Sequence, residues 1–391
     1  MAGITHEPLR SPRPPAPRRR REPPTPPTRR VRRVALLAAG ICLIPVVISY
    51  LSMLGQRSDS SVGIRTVEWL TSHGARGIVD RVESIYYSLT APATGGPALK
   101  ALPRQTGVAG RTSTRPAVHH YTPRALRPLI KPALPGEGVW HPTYAGGGSR
   151  PPVLVTSFRS DPAYPQLVAG VAWIDHTRTR VTLYPGLQEP AVTMPRGPME
   201  IPPSSRGRLV AAFNSGFKLQ DSGGGFALGG HTYAPLKNGF ATIVGYTNGR
   251  TDVVSWTGGA NVGPTVLFAR QNLPLIVNSG RPNPNLNDGP QWGATLGNAV
   301  RVWRSAVGVD RHGDLIYAAA NYQTVGSLAA ILIHAGAIRA MELDINSYWV
   351  SFITYRHPNA VDPANLLAAM DRSRYRYLTQ DDRDFFAVYL R

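Results

Sequence analysis

The sequence predicts an α+β domain, with mixed or antiparallel sheets and a few packed helices, behind one transmembrane helix. Three observations predict it. From Val139 onward, short β-branched and aromatic runs follow one another, punctuated by Gly, Pro and Asn. Only two stretches in that region have helical character, too few to cover both faces of a doubly wound sheet. Residues 34–54, VALLAAGICLIPVVISYLSML, hold no charged side chain. Some twenty apolar residues rising about 1.5 Å each span the roughly 30 Å hydrocarbon core of a bilayer.

The elements follow in order. Residues 1–33 alternate prolines with ten arginines, a composition that cannot bury a core and predicts a disordered arm. Its arginines precede the apolar span, so the positive-inside rule places residues 1–33 in the cytoplasm and the rest outside, as a single-pass plasma-membrane protein. The span starts late and runs long for a cleaved signal peptide, which favours a retained anchor. Pro45 is tolerated in such a helix, and Cys42, the only cysteine among 391 residues, lies inside it as apolar filling. A lone cysteine excludes a disulfide framework and a thiolate zinc cluster.

The net charge is +20, with +8 in residues 1–33, +7 in residues 57–135 and only +5 in residues 136–391. The excess sits on flanking segments rather than on a folded face. It therefore reads as topology signal and headgroup contact, and no nucleic-acid partner is expected. Residues 55–135 begin with one or two amphipathic helices, Val67, Leu70, Ile78, Val82, Ile85 and Tyr86 forming the stripe, with breaks at Gly74 and Gly77. A Pro- and Gly-rich linker, which contains His119-His120, follows to residue 135.

Residues 136–391 form the main domain. Strands are predicted over 153–158, 167–174, 180–184, 209–213, 240–246, 252–256, 265–269, 275–277, 299–309 and 315–319. Asn248-Gly249 and the Gly313 turn connect hairpins. Thr324 caps a helix that Gly336 closes, a buried strand follows over 338–344, and a second helix is expected from Asp362-Pro363 to Met370.

Several residues could carry chemistry. An apolar strand ends at Asn214-Ser215-Gly216, and a second delivers Glu342 and Asp344 to its end, two apart and so on one side. That arrangement suits general acid/base work, or one carboxylate tied to a loop and the other solvated. Arg301 and Arg304 lie in a strand and need an anion or an internal acid as partner. The stretch around Gly224 lacks a phosphate-loop ending, so it is either an anion-cradling loop or a hairpin. His231, just after it, is a candidate proton carrier. Carboxylates and backbone carbonyls could hold a divalent ion without any motif; the sequence indicates no metal site and no cofactor.

Residues 209–352, about a third of the chain, resemble the phosphodiester glycosidase domain family. The likeness rests on Asn214-Ser-Gly-Phe217 after an apolar strand, Pro274-Leu-Ile-Val-Asn-Ser-Gly280, Arg304-Ser-Ala-Val-Gly308, a helix ending at Gly-Ala, and Leu343-Asp-Ile-Asn-Ser347. The resemblance implies hydrolysis of the bond between a sugar and a phosphodiester, here in a cell-envelope glycan. It implies Arg304 and the amides near Gly224 as the phosphate site, Asp344 as acid/base or nucleophile, and Glu342 as its partner. Asn214 and Ser347 would orient the substrate. Ile345 and Asn346 stand where the family has two glycines, so their side chains would reshape the pocket. The competing expectation is an inactive domain that binds envelope glycan as a scaffold.

Overall fold

Runs rich in β-branched and aromatic residues become the strands that lie deepest. Val153–Arg159, Leu209–Asn214 and Val302–Val309 are buried at every residue, with Arg159 and Arg304 paired to Glu137 and Glu342. The computed structural model describes residues 29–103, 107, 121–147, 150–293 and 301–391. The basic arm before residue 29, His119-His120 and residues 299–300 lie outside these.

The chain divides into two compact units between Gly55 and Gln56. The first holds helix α1 (Arg29–Gly55), which contains Pro45 and is long and apolar enough to cross a membrane or to serve as a signal. The second opens with α2 (Val62–Leu70), whose first turn is capped by the Ser61 hydroxyl accepting from Ile64 N. A π-turn over Thr71–Ala75 then leads into α3 (Arg76–Thr90). The predicted break falls at Gly74, where φ is +89°, a conformation glycine adopts without steric cost; Gly77 lies within α3.

Three antiparallel sheets of eight, five and five strands follow among the described residues. The eight-stranded sheet runs His141–Pro142, Val153–Arg159, Val168–Ile174, Leu315–Gln323, Val302–Val309, Arg339–Glu342, Leu275–Asn278, Arg281–Pro282. A five-stranded sheet runs His231–Ala234, Phe226–Leu228, Val266–Gln271, Ala241–Tyr246, Thr251–Ser255. The other runs Val361–Asn365, Phe352–His357, Leu209–Asn214, Phe385–Leu390, Thr179–Tyr184. The main core gathers side chains from all three sheets, among them Phe213, Tyr317, Met341, Phe352 and Phe386.

Helix α4 (Leu219–Ser222) is a single turn. The predicted capped helix is α5 (Val325–His334), where Thr324 and Ser327 exchange capping bonds and the apolar face packs under the eight-stranded sheet. Gly249 and Gly313 turn their hairpins at φ of +81° and +89°.

One predicted element is corrected. Residues expected to start a helix at Asp362-Pro363 instead form the edge strand Val361–Asn365. Asn359, Ala360 and Asp362 take φ of +62°, +59° and +53°, turning the chain back so that Pro363 pairs with Tyr355. An edge strand tolerates proline because one side of its ladder needs no donor. Two inner strands, Phe352–His357 and Phe385–Leu390, were not among the runs singled out from sequence.

Candidate functional site

Two strand ends meet at the centre of the second unit. Leu209–Asn214 ends beside the turn that follows Arg339–Glu342, because Asp344 N donates to Ser215 O at 3.1 Å and Ser305 Oγ to Asp344 O at 2.8 Å. A cleft of about 560 Å³ opens over this junction. One wall comes from α2, the π-turn and α3, through Val67, Glu68, Thr71, Ser72, Val79, Asp80 and Glu83. The other includes Phe217, Lys218, Asp221, Asp344, Ile345, Asn346, Trp349 and Arg383.

Asp344 is 6% exposed. Its Oδ2 accepts from Arg383 Nη2 at 2.8 Å and its Oδ1 from Asn346 N at 3.0 Å. Burial pushes its carboxyl above the usual aspartate range, and the Arg383 guanidinium pulls it back down. Arg383 also donates to Gly216 O at 3.1 Å and lies 5.2 Å from the centre of a Trp349 ring, while its buried Nε has no protein partner. Lys218 pairs with Glu68 across the cleft at 2.9 Å.

Of the residues singled out from sequence, Asp344 and Asn346 line this cleft. Ser347 is half-buried beside them. Arg304 and Glu342 do not line it. They form a buried pair behind it, Arg304 Nη1 to Glu342 Oε1 at 2.5 Å, with Arg304 also donating to Gln323 O and Trp292 O. Asn214 is spent on structure. Its amide donates to Ser305 Oγ and Ser215 O, and its Oδ1 accepts from Tyr317 and from Ser351 N.

The Gly224 stretch is a hairpin. Gly224 N donates to Ser222 Oγ and Gly225 N to Gln271 Oε1, so neither amide is turned toward an anion. His231 is exposed on the edge strand of its sheet, near Tyr233, and Arg301 pairs with Asp161 at 2.9 Å. The residues that sequence reasoning missed are Arg383, Trp349 and Lys218. The signal was present at residues 381–384, Asp-Asp-Arg-Asp, a charged run set directly before an apolar strand.

Five carboxylates and two cations line the cleft: Glu68, Asp80, Glu83, Asp221 and Asp344 against Lys218 and Arg383. Among the described residues that line it, those two cations could meet a phosphate. Burial, then the nearby Asp80, pushes Glu83 up. Away from the cleft, ligand atoms of Asp175, His176 and Asp314 lie within 4.8 Å of one another. Their oxygens already take Arg150, Thr177 and His176 as partners, so they read as a hairpin lock.

No protein-family model matches the chain, and no curated protein matches it. Among solved structures, the chain is similar to the zebrafish N-acetylglucosamine-1-phosphodiester alpha-N-acetylglucosaminidase catalytic domain, auto-inhibited by its pro-peptide. Identity is 15%, over 63% of this chain and 87% of that one, with a TM-score of 0.39. It is also similar to a hypothetical protein from Synechocystis, at 13% identity over 61% of this chain and 62% of that one, with a TM-score of 0.36. Both are distant structural similarities.

The buried pair behind the cleft carries a pH signature. Glu342 is 1% exposed. Burial raises its carboxyl from an ordinary 4.5 to about 7; Arg304 opposes the rise and the Asp344 charge adds to it. A carboxyl raised in the folded state contributes stability that is complete below about pH 4.5 and lost as pH climbs through about 7. At 1.36 kcal/mol per unit, the loss is about 3 kcal/mol. Glu342→Gln should therefore flatten the stability curve across that window, measured by urea unfolding at a series of pH values. Parallel curves for the two proteins would show that Glu342 does not titrate there.

Proposed function

We propose that the chain is a membrane-anchored extracytoplasmic hydrolase that cleaves the glycosyl–phosphate bond of a sugar phosphodiester, the cell-envelope glycopolymers being the fitting substrate class. The observation that carries this reading is a buried carboxylate at the floor of a cleft with a buried guanidinium against it: Asp344 and Arg383. Asp344 serves attack at the anomeric carbon, as nucleophile or as base toward water. Arg383, with Lys218 also lining the cleft, neutralises the charge that grows on the departing phosphate monoester. The bond between the anomeric carbon and the phosphate oxygen breaks, water supplies the new sugar hydroxyl and gives up a proton, and the phosphate departs as a monoester anion. A phosphate monoester is a fair leaving group, so a second carboxylic acid is not required, which agrees with Glu342 lying outside the cleft. Trp349 offers an apolar face to the sugar ring.

One observation favours the scaffold reading: both Asp344 oxygens already accept hydrogen bonds. The test incubates the full-length chain in nanodiscs with an N-acetylglucosamine-1-phosphodiester and follows free sugar. Asp344→Asn is expected to lower release by about 10²–10⁴-fold, the range for a positioned acid or base. Glycan binding without release by the wild-type chain, across several sugar phosphodiesters, would replace the hydrolase with the scaffold.

A further inference from the structure

Helix α3 has two faces with opposite chemistry. Val79, Asp80 and Glu83 line the cleft. On the other side Ile78, Val82, Ile85, Tyr86 and Leu89 are each more than half exposed, Leu89 at 80%. At 100° per residue these five fall within an arc of about 100°, the width of the apolar stripe that a surface helix normally buries. None of the described residues of the second unit covers it.

We infer that this face lies in the headgroup region of the lipid bilayer, as an interfacial helix beside the anchor. The inference rests on the membrane-anchor reading of α1. Three features favour lipid as the occupant. Residues 56–61, which join α1 to α2, are six residues long and reach at most about 20 Å when fully extended. The helical pair is thus tethered close to wherever α1 leaves the membrane. Next, residues 91–135, which follow α3 directly, carry +7 while residues 57–90 are neutral in net charge, so the charge that complements an anionic lipid surface begins just after the helix. Finally, Tyr86 lies at one margin of the stripe and the exposed Arg81 lies beyond the other, a composition suited to a helix sunk about 5–10 Å into the headgroup–acyl boundary. Since α3 is also a wall of the cleft, the bilayer would hold that wall in place.

The test uses the full-length chain in phosphatidylcholine–phosphatidylglycerol vesicles. Cys42→Ser removes the only native thiol, and an environment-sensitive fluorophore is attached through Ile85→Cys or, on the polar side, Ser88→Cys. Both positions are exposed, so neither change disturbs the core. Lipids spin-labelled high on the acyl chain should quench position 85 several-fold more than position 88, and Val82→Asp should abolish the difference. Equal quenching at both positions, or none at 85, overturns the inference. A blue-shifted fluorophore at 85 without lipid quenching overturns it in favour of a second protein copy. Carbonate extraction is scored separately. A chain that carbonate releases but whose position 85 was quenched beforehand contradicts the anchor and leaves the α3 contact standing.

Discussion

Arg383→Met is expected to abolish sugar release and to destabilise the fold. Arg383 is 6% exposed and joins the Asp344 carboxylate, the Gly216 carbonyl and the face of Trp349. Removing it leaves Asp344 buried with one backbone amide, and breaking a buried pair by deleting one partner costs about 3–5 kcal/mol. Without the guanidinium, burial pushes the Asp344 carboxyl further up, opposed by the Asn346 amide and by Arg376 and Lys218. Loss of the leaving-group cation alone should lower turnover by about 10²–10³-fold. Arg383→Met combined with Asp344→Asn should regain much of the stability and none of the activity. Arg383→Lys should fall between, because an ammonium keeps the charge but not the fork. Full activity in Arg383→Met would remove Arg383 from the mechanism.

Arg376→Met should also cause a large stability loss. Arg376 and Asp381 are buried and pair through Nε–Oδ2 at 2.5 Å and Nη2–Oδ1 at 3.0 Å. The remaining nitrogen donates to Trp349 O at 2.8 Å and Ser351 Oγ at 2.9 Å. Deleting it strands the Asp381 carboxylate and two acceptors, for about 3–5 kcal/mol. Asp381 Oδ1 also accepts from Arg383 N at 2.9 Å, so the loss should spread to the site although Arg376 does not line the cleft. The midpoint of urea unfolding checks the first part, and the KM of the variant against its kcat checks the second. A shift smaller than about 1 kcal/mol, the scale of an ordinary surface substitution or less, would mean that the loop has other support.

Much of the fold was legible locally. The run at residues 209–213 is continuously apolar, and Asn248-Gly249 and Thr324 mark a turn and a cap by their own chemistry. The helix expected at Asp362-Pro363 failed because proline suits both a first helical turn and an edge strand. The positive φ angles at residues 359, 360 and 362 that decided between them come from pairing with Phe352–His357, which no local pattern reveals.

The site divides in the same way. Asp344 was visible because a buried strand that ends in a carboxylate is a local feature, whatever it faces. Its partner was not. Arg304 is no nearer to it in sequence than Arg383 but lies on the strand paired with Arg339–Glu342, yet its guanidinium turns to Glu342, while the cation that reaches Asp344 comes from residue 383, beside a strand of another sheet. The sequence by itself determined the apolar span, the strand-rich domain and the carboxylate at its centre, since each depends on neighbours a few residues away. Which arginine meets that carboxylate, and which helix walls the cleft, was decided only by tertiary structure. Those contacts depend on how sheets and helices pack, and packing joins residues that the chain keeps far apart.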